Sequence, residues 1–499
     1  MVDDAEPPVT RSIVLNDAQR WRAFWVCVSV AAFTILDISK VNVALPTIEG
    51  SLGGGSTELQ LVVSGYILSF GLGLVPFGRI GDQRSRRTLM LVGLCGFALA
   101  SLLCAVAPTI WWLVIARFLQ GVAAGIQVPQ VMGTIQLLFT GRERGVAFGL
   151  FGATVGLATA FGPTLGGALI AIGGAEDGWR WIFWMNVPLA LLVALGVLLL
   201  LPQVRRPANG RLELDPVGLL LFAVAVVCLM TPFLLTTGSP EDSPARWWLL
   251  VPFLLFCAAF IAWERRYAAR GLPPLVPLRL FRVVSWRNGN AIQLLYFAGL
   301  PTVFLLTAVF LQTGLGLEAV YAGMVTIGFA VLSAFTSWLS GRLVHRFGRA
   351  LVIVGLMIVL GAIVGLVLVA YFAPDEAAPW LMAAILAVGG LGGGIVISPN
   401  QTLTLAEIPP VEGGLAGSVG QLGQRIGNAV GTSIGLSLFY ATIYSESGGD
   451  GAHADSAVFH DAYGAGLLAA AVCVAGALAV AFMDMGERRR AARAGEGAL

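Results

Sequence analysis

The stretch FTILDISKVNVALP, Phe33 to Pro46, sets an aspartate and a lysine three residues apart within an apolar run. Lys40 is the only lysine in the chain; every other one of its 30 basic residues is arginine. Positions three apart share a helical face, so Asp37 and Lys40 can form a neutral pair. Each such group costs about 2.5–3.5 kcal/mol to insert at the bilayer centre, so it normally faces a cavity or a partner.

The rest of the chain is equally apolar. Charged residues make up 12% of the 499 positions, hydrophobic ones 57%, and mean hydropathy is +0.84. A soluble domain carries about 25% charge. These values define an integral membrane protein with the lipid bilayer as its partner and no solvated basic domain for nucleic acid. The six cysteines lie in apolar runs and read as small hydrophobes rather than a disulfide or metal framework. His453, Asp455 and His460 form only a weak metal-ligand grouping, and no metal is expected. The N-terminus MVDDAEPPVT lacks the basic-then-apolar order of a cleaved signal, so the first span is expected to act as its own start signal.

A helix needs about 20 apolar residues to cross the hydrocarbon. Fourteen runs of that length are present, the first near 22–46 and the last near 461–483. With fourteen spans, Arg79, Arg84, Arg86, Arg87, Arg142, Arg144, Arg205, Arg206 and Arg211 fall on one side, as do the arginines of the later odd-side loops and both tails. Arg180 and Arg246 remain opposite. The positive-inside rule then puts both termini in the cytoplasm. The predicted organisation is a tail (1–21), a six-helix bundle (22–201), a linker carrying two extra spans (202–287), a second six-helix bundle (288–484) and a tail (485–499). GRIGDQRSRR after span two and GRLVHRFGR after span ten are matching basic turns, which marks the two bundles as repeats. Glycines at helical spacing, Gly149, Gly152, Gly156 and Gly162 in span five and Gly423, Gly427, Gly431 and Gly435 in span thirteen, suit close helix approach in lipid.

Five stretches, taken in order, resemble the major facilitator superfamily, and within it the fourteen-span drug:proton antiporter branch of multidrug efflux transporters. They are LDISKVNVALP (36–46), GRIGDQRSRRTLM (78–90), RFLQGVAAG (117–125), GPTLGG (162–167) and WRWIFWMNVP (179–188). Ser39 and Lys40 depart from the branch's usual threonine and aliphatic residue. Ser85 and Gln83 replace a usual glycine and basic residue. The resemblance implies an all-α major facilitator fold, assigns Arg117 to proton coupling and associates Gly162, Pro163, Gly166 and Gly167 with antiport. It also implies that Asp82, within the turn of Gly78, Arg86 and Arg87, caps the start of span thirteen when the inner side is closed. His345 stands at the corresponding place in the second copy, so that lock is expected in one half only.

Four charges lie within spans: Asp37, Lys40, Arg117 and Arg425. Asp37 is the expected proton carrier, since burial and nearby cations act on a carboxylate in opposite directions. Arg117, Gln120, Ala124 and Gln127 share a polar helical face expected to point inward. Asn290, Gln293 and Phe297 in span nine, with Asn400 and Gln401 in span twelve, are expected on the cavity wall. Arg425 is expected to close the inner gate. The resulting expectation is a proton-coupled exporter of amphipathic small molecules in a bacterial plasma membrane, monomeric, with no cofactor beyond the proton gradient and no GxxxxGK[ST] loop. Lys40 argues against a site tuned only for organic cations. A proton-coupled metabolite symporter and a non-transporting receptor or assembly protein remain the alternatives.

Overall fold

In lipid every backbone polar group must be satisfied within the chain, which favours uninterrupted helices. The computed structural model describes residues 15–53, 55–174, 176–202, 215–236, 242–446 and 456–496, and the described residues are helical almost throughout. Fourteen helices are long and apolar enough to span a membrane. They are α1 (Asp17–Leu52), α2 (Glu58–Gln83), α3 (Arg86–Ala105), α4 (Ile110–Leu138), α5 (Gly141–Gly173), α6 (Gly178–Leu200) and α7 (Pro216–Leu234). The remainder are α8 (Pro244–Ala269), α9 (Val284–Gly314), α10 (Val320–Phe347), α11 (Arg349–Phe372), α12 (Ala378–Thr404), α13 (Pro410–Glu446) and α14 (Ala457–Arg488).

Polar residues at the ends explain where helices begin. Asn16 and Gln19 form a capping box at α1, Ser85 accepts from Thr88 N at α3, and Asp215 caps α7 ahead of Pro216. The final turn of α9 widens into a π-helical segment, Phe310–Gly314. The last helix extends well beyond the apolar run expected for it, because 461–483 is continuous with the polar, helix-forming ERRRAARAGE.

Helices α1–α6 pack as one half and α9–α14 as the other. The inserted pair α7–α8 leans through α7 on α2 and α13, and α8 is almost entirely unburied along its apolar window. Glu264 belongs to α8 rather than to the connection that follows. There its carboxylate is buried and accepts from Leu275 N at 3.3 Å and Val276 N at 2.9 Å, folding the Pro-rich connection back on the helix.

The two halves meet toward the face that carries the basic loops, hereafter the basic face. A Cβ added to Gly341 of α10 would lie 2.4 Å from the Gly145 carbonyl oxygen of α5, and one on Gly149 would lie 2.8 Å from the Ser337 carbonyl oxygen. Ser337 Oγ donates to Gly149 O at 3.1 Å. Only glycine permits this backbone approach. Further along α5, a Cβ on Gly156 would meet nothing within 4 Å and Phe161 is 59% exposed. The halves are therefore closed at the basic face. Arg205, Arg206, Arg211, His453 and Asp455 lie outside the described residues.

Candidate transport site

Asp37 and Arg117 form the centre of the first half. Arg117 Nη1 donates to Asp37 Oδ2 at 2.8 Å, and both side chains are essentially unexposed. The same nitrogen donates to Gln120 Oε1 at 2.6 Å, while Nε donates to the Val62 carbonyl at 3.2 Å. The guanidinium also lies 4.1 Å from the Tyr66 ring centroid, a cation–π contact within the usual range. Gln120 passes the network on to Ser101 at 2.8 Å. A buried ion pair is tolerable only when its remaining donors and acceptors are satisfied, and these contacts do that.

The direct Asp37–Lys40 pair allowed by their spacing does not form. Lys40 Nζ turns to α6, donating to Asn186 Oδ1 at 2.8 Å and to the Ile182 carbonyl at 3.4 Å. Asn186 Nδ2 in turn donates to Asp37 Oδ1 at 2.5 Å. One amide thus holds the carboxylate with its donor end and the ammonium with its acceptor end. The reason is competition: Arg117 reaches Asp37 from α4 with a planar, multi-donor head that suits a carboxylate better than an ammonium does.

GPTLGG lies against this centre. A Cβ on Gly162 would sit 2.3 Å from Ser39 Cβ, and one on Gly166 would sit 3.0 Å from the Lys40 carbonyl oxygen. These two glycines let α5 touch α1 at the turn bearing Lys40. Gly167 has open space beside it, and Pro163 lies inside the helix.

Asp82 lies at the basic face, where its Oδ1 accepts from Gly414 N at 3.1 Å and its Oδ2 from Leu415 N at 2.8 Å, at the start of the α-helical part of α13. Arg86 Nη2 donates to Asp82 Oδ1 at 2.6 Å and to Pro410 O at 3.2 Å. Gln136 adds bonds to the Leu405 and Ile408 carbonyls. Gly78 faces Ser418 closely enough that any side chain would collide with its hydroxyl. Arg87 instead donates to Leu198 O on α6, away from this seam. Arg425 is set deeper than the lock: its guanidinium lies 4.8 Å from the Phe70 ring of α2.

The polar residues expected on a cavity wall separate into three groups. Gln120 and Gln127 are unexposed within the first half, and Gln127 Nε2 donates to Thr34 Oγ1 at 2.7 Å. Gln293 Nε2 donates to Gln401 Oε1 at 3.3 Å, while Gln293 Oε1 and Asn290 Oδ1 stay buried and unpartnered beside Gly420. Phe297 packs in the second half's core. Asn400 turns instead to Arg349, accepting from its Nη1 at 2.5 Å, and donates to the Gly289 carbonyl.

Arg349 opens a second buried cluster that sequence reasoning missed. It donates to Asp484 at 2.5 Å, and Asp484 also receives Asn288 and Arg488, each at 3.1 Å. A signal was present: Arg349 follows Gly341 by the same eight residues that separate Arg86 from Gly78. Asn186, Ser101 and Tyr66 were also missed, although Asn186 sits within WRWIFWMNVP. No group of three or more potential metal ligands occurs among the described residues; His460 contacts the Ala370 carbonyl and lies 3.8 Å from Asp375.

Two pseudo-equivalent six-helix halves, a buried acid–arginine centre and a lock at one face define a polytopic membrane transporter. Residues 27–432 match the family model described as Major Facilitator Superfamily, and residues 291–496 match it a second time. The chain belongs to that family. It is 34% identical over 438 residues to a probable actinorhodin transporter of Streptomyces coelicolor, covering 86% of this chain and 74% of the relative. It is also 34% identical over 415 residues to a puromycin resistance protein of Streptomyces alboniger, covering 82% and 80%. The proton:xylose symporter XylE has the same fold, with a TM-score of 0.60 at 17% identity over 92% of this chain and 95% of that one.

Proposed function

We propose that the protein is a proton-coupled antiporter that exports amphipathic small molecules across a bacterial plasma membrane, with both termini cytoplasmic. The observation that carries this reading is the ion pair of Asp37 with Arg117 in the unexposed centre of the first half. Asp37 exchanges its proton as the halves rock. Protonation releases Arg117, and deprotonation recaptures it, so the pair exists in two discrete states that can be tied to two orientations of the halves. Lys40 acts on Asp37 through Asn186, and Gly162 and Gly166 let α5 transmit its tilt to this turn of α1. The similarity to an actinorhodin transporter and a puromycin resistance protein supports export of natural products or drugs. The basic face, closed by Asp82 and the α5–α10 glycines, is the cytoplasmic one, in keeping with its arginines.

One proton descending about 150 mV releases roughly 3.4 kcal/mol. That sustains about a few-hundredfold gradient of a neutral substrate exchanged one for one. The test begins with a susceptibility screen of cells lacking and overproducing the protein. A compound that scores there is then followed in proteoliposomes under an imposed pH gradient. Movement opposite to the proton flow is expected; movement along with it would make the protein a symporter.

A further inference from the structure

We propose that the substrates of this transporter are organic anions, whose negative group binds between Arg425 of the second half and Tyr66 of the first. The inference rests on reading the chamber between the halves as the transport site. Its basis is the distribution of charge at mid-membrane. One carboxylate, Asp37, stands there with three cations, Lys40, Arg117 and Arg425. Arg117 takes the carboxylate, and Lys40 has only neutral oxygen acceptors. Among the described residues no carboxylate pairs with Arg425. Its Nε is buried without a hydrogen-bond partner, its guanidinium lies against the face of Phe70, and Tyr66 is close enough to interact with it electrostatically.

Uncompensated cations in a low-dielectric interior are costly, and they normally meet a counter-charge. Here the described residues supply none, and an incoming anion can. Tyr66 is the second anchor: its hydroxyl is buried and unpartnered, although its ring covers Arg117. The Tyr66 and Phe70 rings, 6.1 Å apart, give the anion an aromatic wall, which suits an amphipathic organic anion better than a small inorganic one. Arg425 comes from α13 and Tyr66 from α2, so a bound anion bridges the halves at the level where rocking transporters of this architecture hold their substrates.

The experiment compares equilibrium binding of two xanthene dyes to the detergent-purified full chain. Fluorescein above neutral pH is the anionic probe, and tetramethylrhodamine methyl ester is the cation on the same ring system. Fluorescein is expected to bind the tighter. Arg425→Gln should weaken it by roughly 10- to 100-fold, the loss of one charge-assisted hydrogen bond, and Arg425→Lys should retain most of the affinity. Tyr66→Phe, which keeps the ring on Arg117, should weaken fluorescein more modestly and provides a second reading if Arg425→Gln fails to fold. Equal or tighter binding of the cation, no saturable fluorescein binding, or an unchanged affinity in both variants overturns the proposal. Displacement of fluorescein by phosphatidylglycerol also overturns it, assigning the charge to a lipid headgroup. Dye binding at equilibrium requires no proton coupling, so its failure is separate from any failure of Asp37-dependent antiport.

Discussion

Asp37 and Lys40, one helical turn apart on α1, do not touch: each is bound to Asn186 of α6, at 2.5 Å and 2.8 Å. A single amide therefore reports the state of the carboxylate to the only lysine in the protein. When Asp37 gains a proton, the donor end of Asn186 loses its charged acceptor, and the amide is free to turn.

Replacing that amide should uncouple the two charges. Asn186→Ala leaves both Asp37 Oδ1 and Lys40 Nζ short of a buried partner, at a cost of about 1–3 kcal/mol for each unsatisfied group. Export is expected to fall by about tenfold or more, with a lowered melting temperature in detergent. Wild-type export and melting in Asn186→Ala would show that the bridge carries nothing.

The backbone contact of α5 with α10 allows no side chain. Gly145→Ala and Gly341→Ala each place a Cβ within 2.5 Å of the opposing carbonyl oxygen, and a carbonyl cannot swing aside as a side chain can. Both variants should insert and fold as separate halves yet fail to close the basic face, abolishing turnover. Gly156→Ala, which meets nothing within 4 Å, is the matched control and should transport normally.

Asp82 holds the two first free N–H groups of the α-helical part of α13. A carboxylate so placed contributes roughly 0.3–1 kcal/mol, and up to about 2 kcal/mol when partly buried. Asp82→Asn should therefore shift the equilibrium away from the closed form without unfolding either half. In a background with the native cysteines replaced, a membrane-impermeant thiol reagent applied from the basic face should label Ser418→Cys faster once Asp82 is removed. Unchanged labelling would place the lock elsewhere.

Glu264 tests the inserted pair. Its carboxylate satisfies two backbone N–H groups of the connection after α8. Glu264→Ala should destabilise that segment by about 1–3 kcal/mol and expose the Leu275–Leu280 stretch to proteolysis. Glu264→Gln, which retains one acceptor, should fall between the two. Equal protease resistance in all three proteins would refute the role.

Some of this was legible from residue types and spacing alone. Fourteen spans follow from hydropathy and from the placement of arginine, because lipid imposes its demand on each helix separately. The contact of Asp82 with the start of α13 was implied by the family resemblance of its turn rather than by spacing, and the structure holds that contact. Asn186 was not, because a lone asparagine in an apolar helix says nothing about which residue 146 or 149 positions earlier it will reach. The partner of Lys40 was hidden for the same reason: spacing allowed a direct pair with Asp37, but Arg117 holds that carboxylate and Lys40 reaches Asn186 instead. Asn400 was a candidate for the cavity wall by polarity, and its bond to Arg349, arriving from α11, was not visible in the sequence. Burial of a polar side chain can be anticipated from sequence, and its partner becomes visible only once helices are assembled.

The central claim is that Asp37 carries the transported proton. The most direct measurement is pH-gradient-driven export by Asp37→Asn in proteoliposomes, beside the wild-type protein at equal reconstitution. Asparagine preserves shape and an oxygen acceptor for Arg117 but cannot exchange a proton at neutral pH. Coupled export is expected to vanish while substrate binding persists; export that still follows the proton gradient at the wild-type rate would contradict the mechanism.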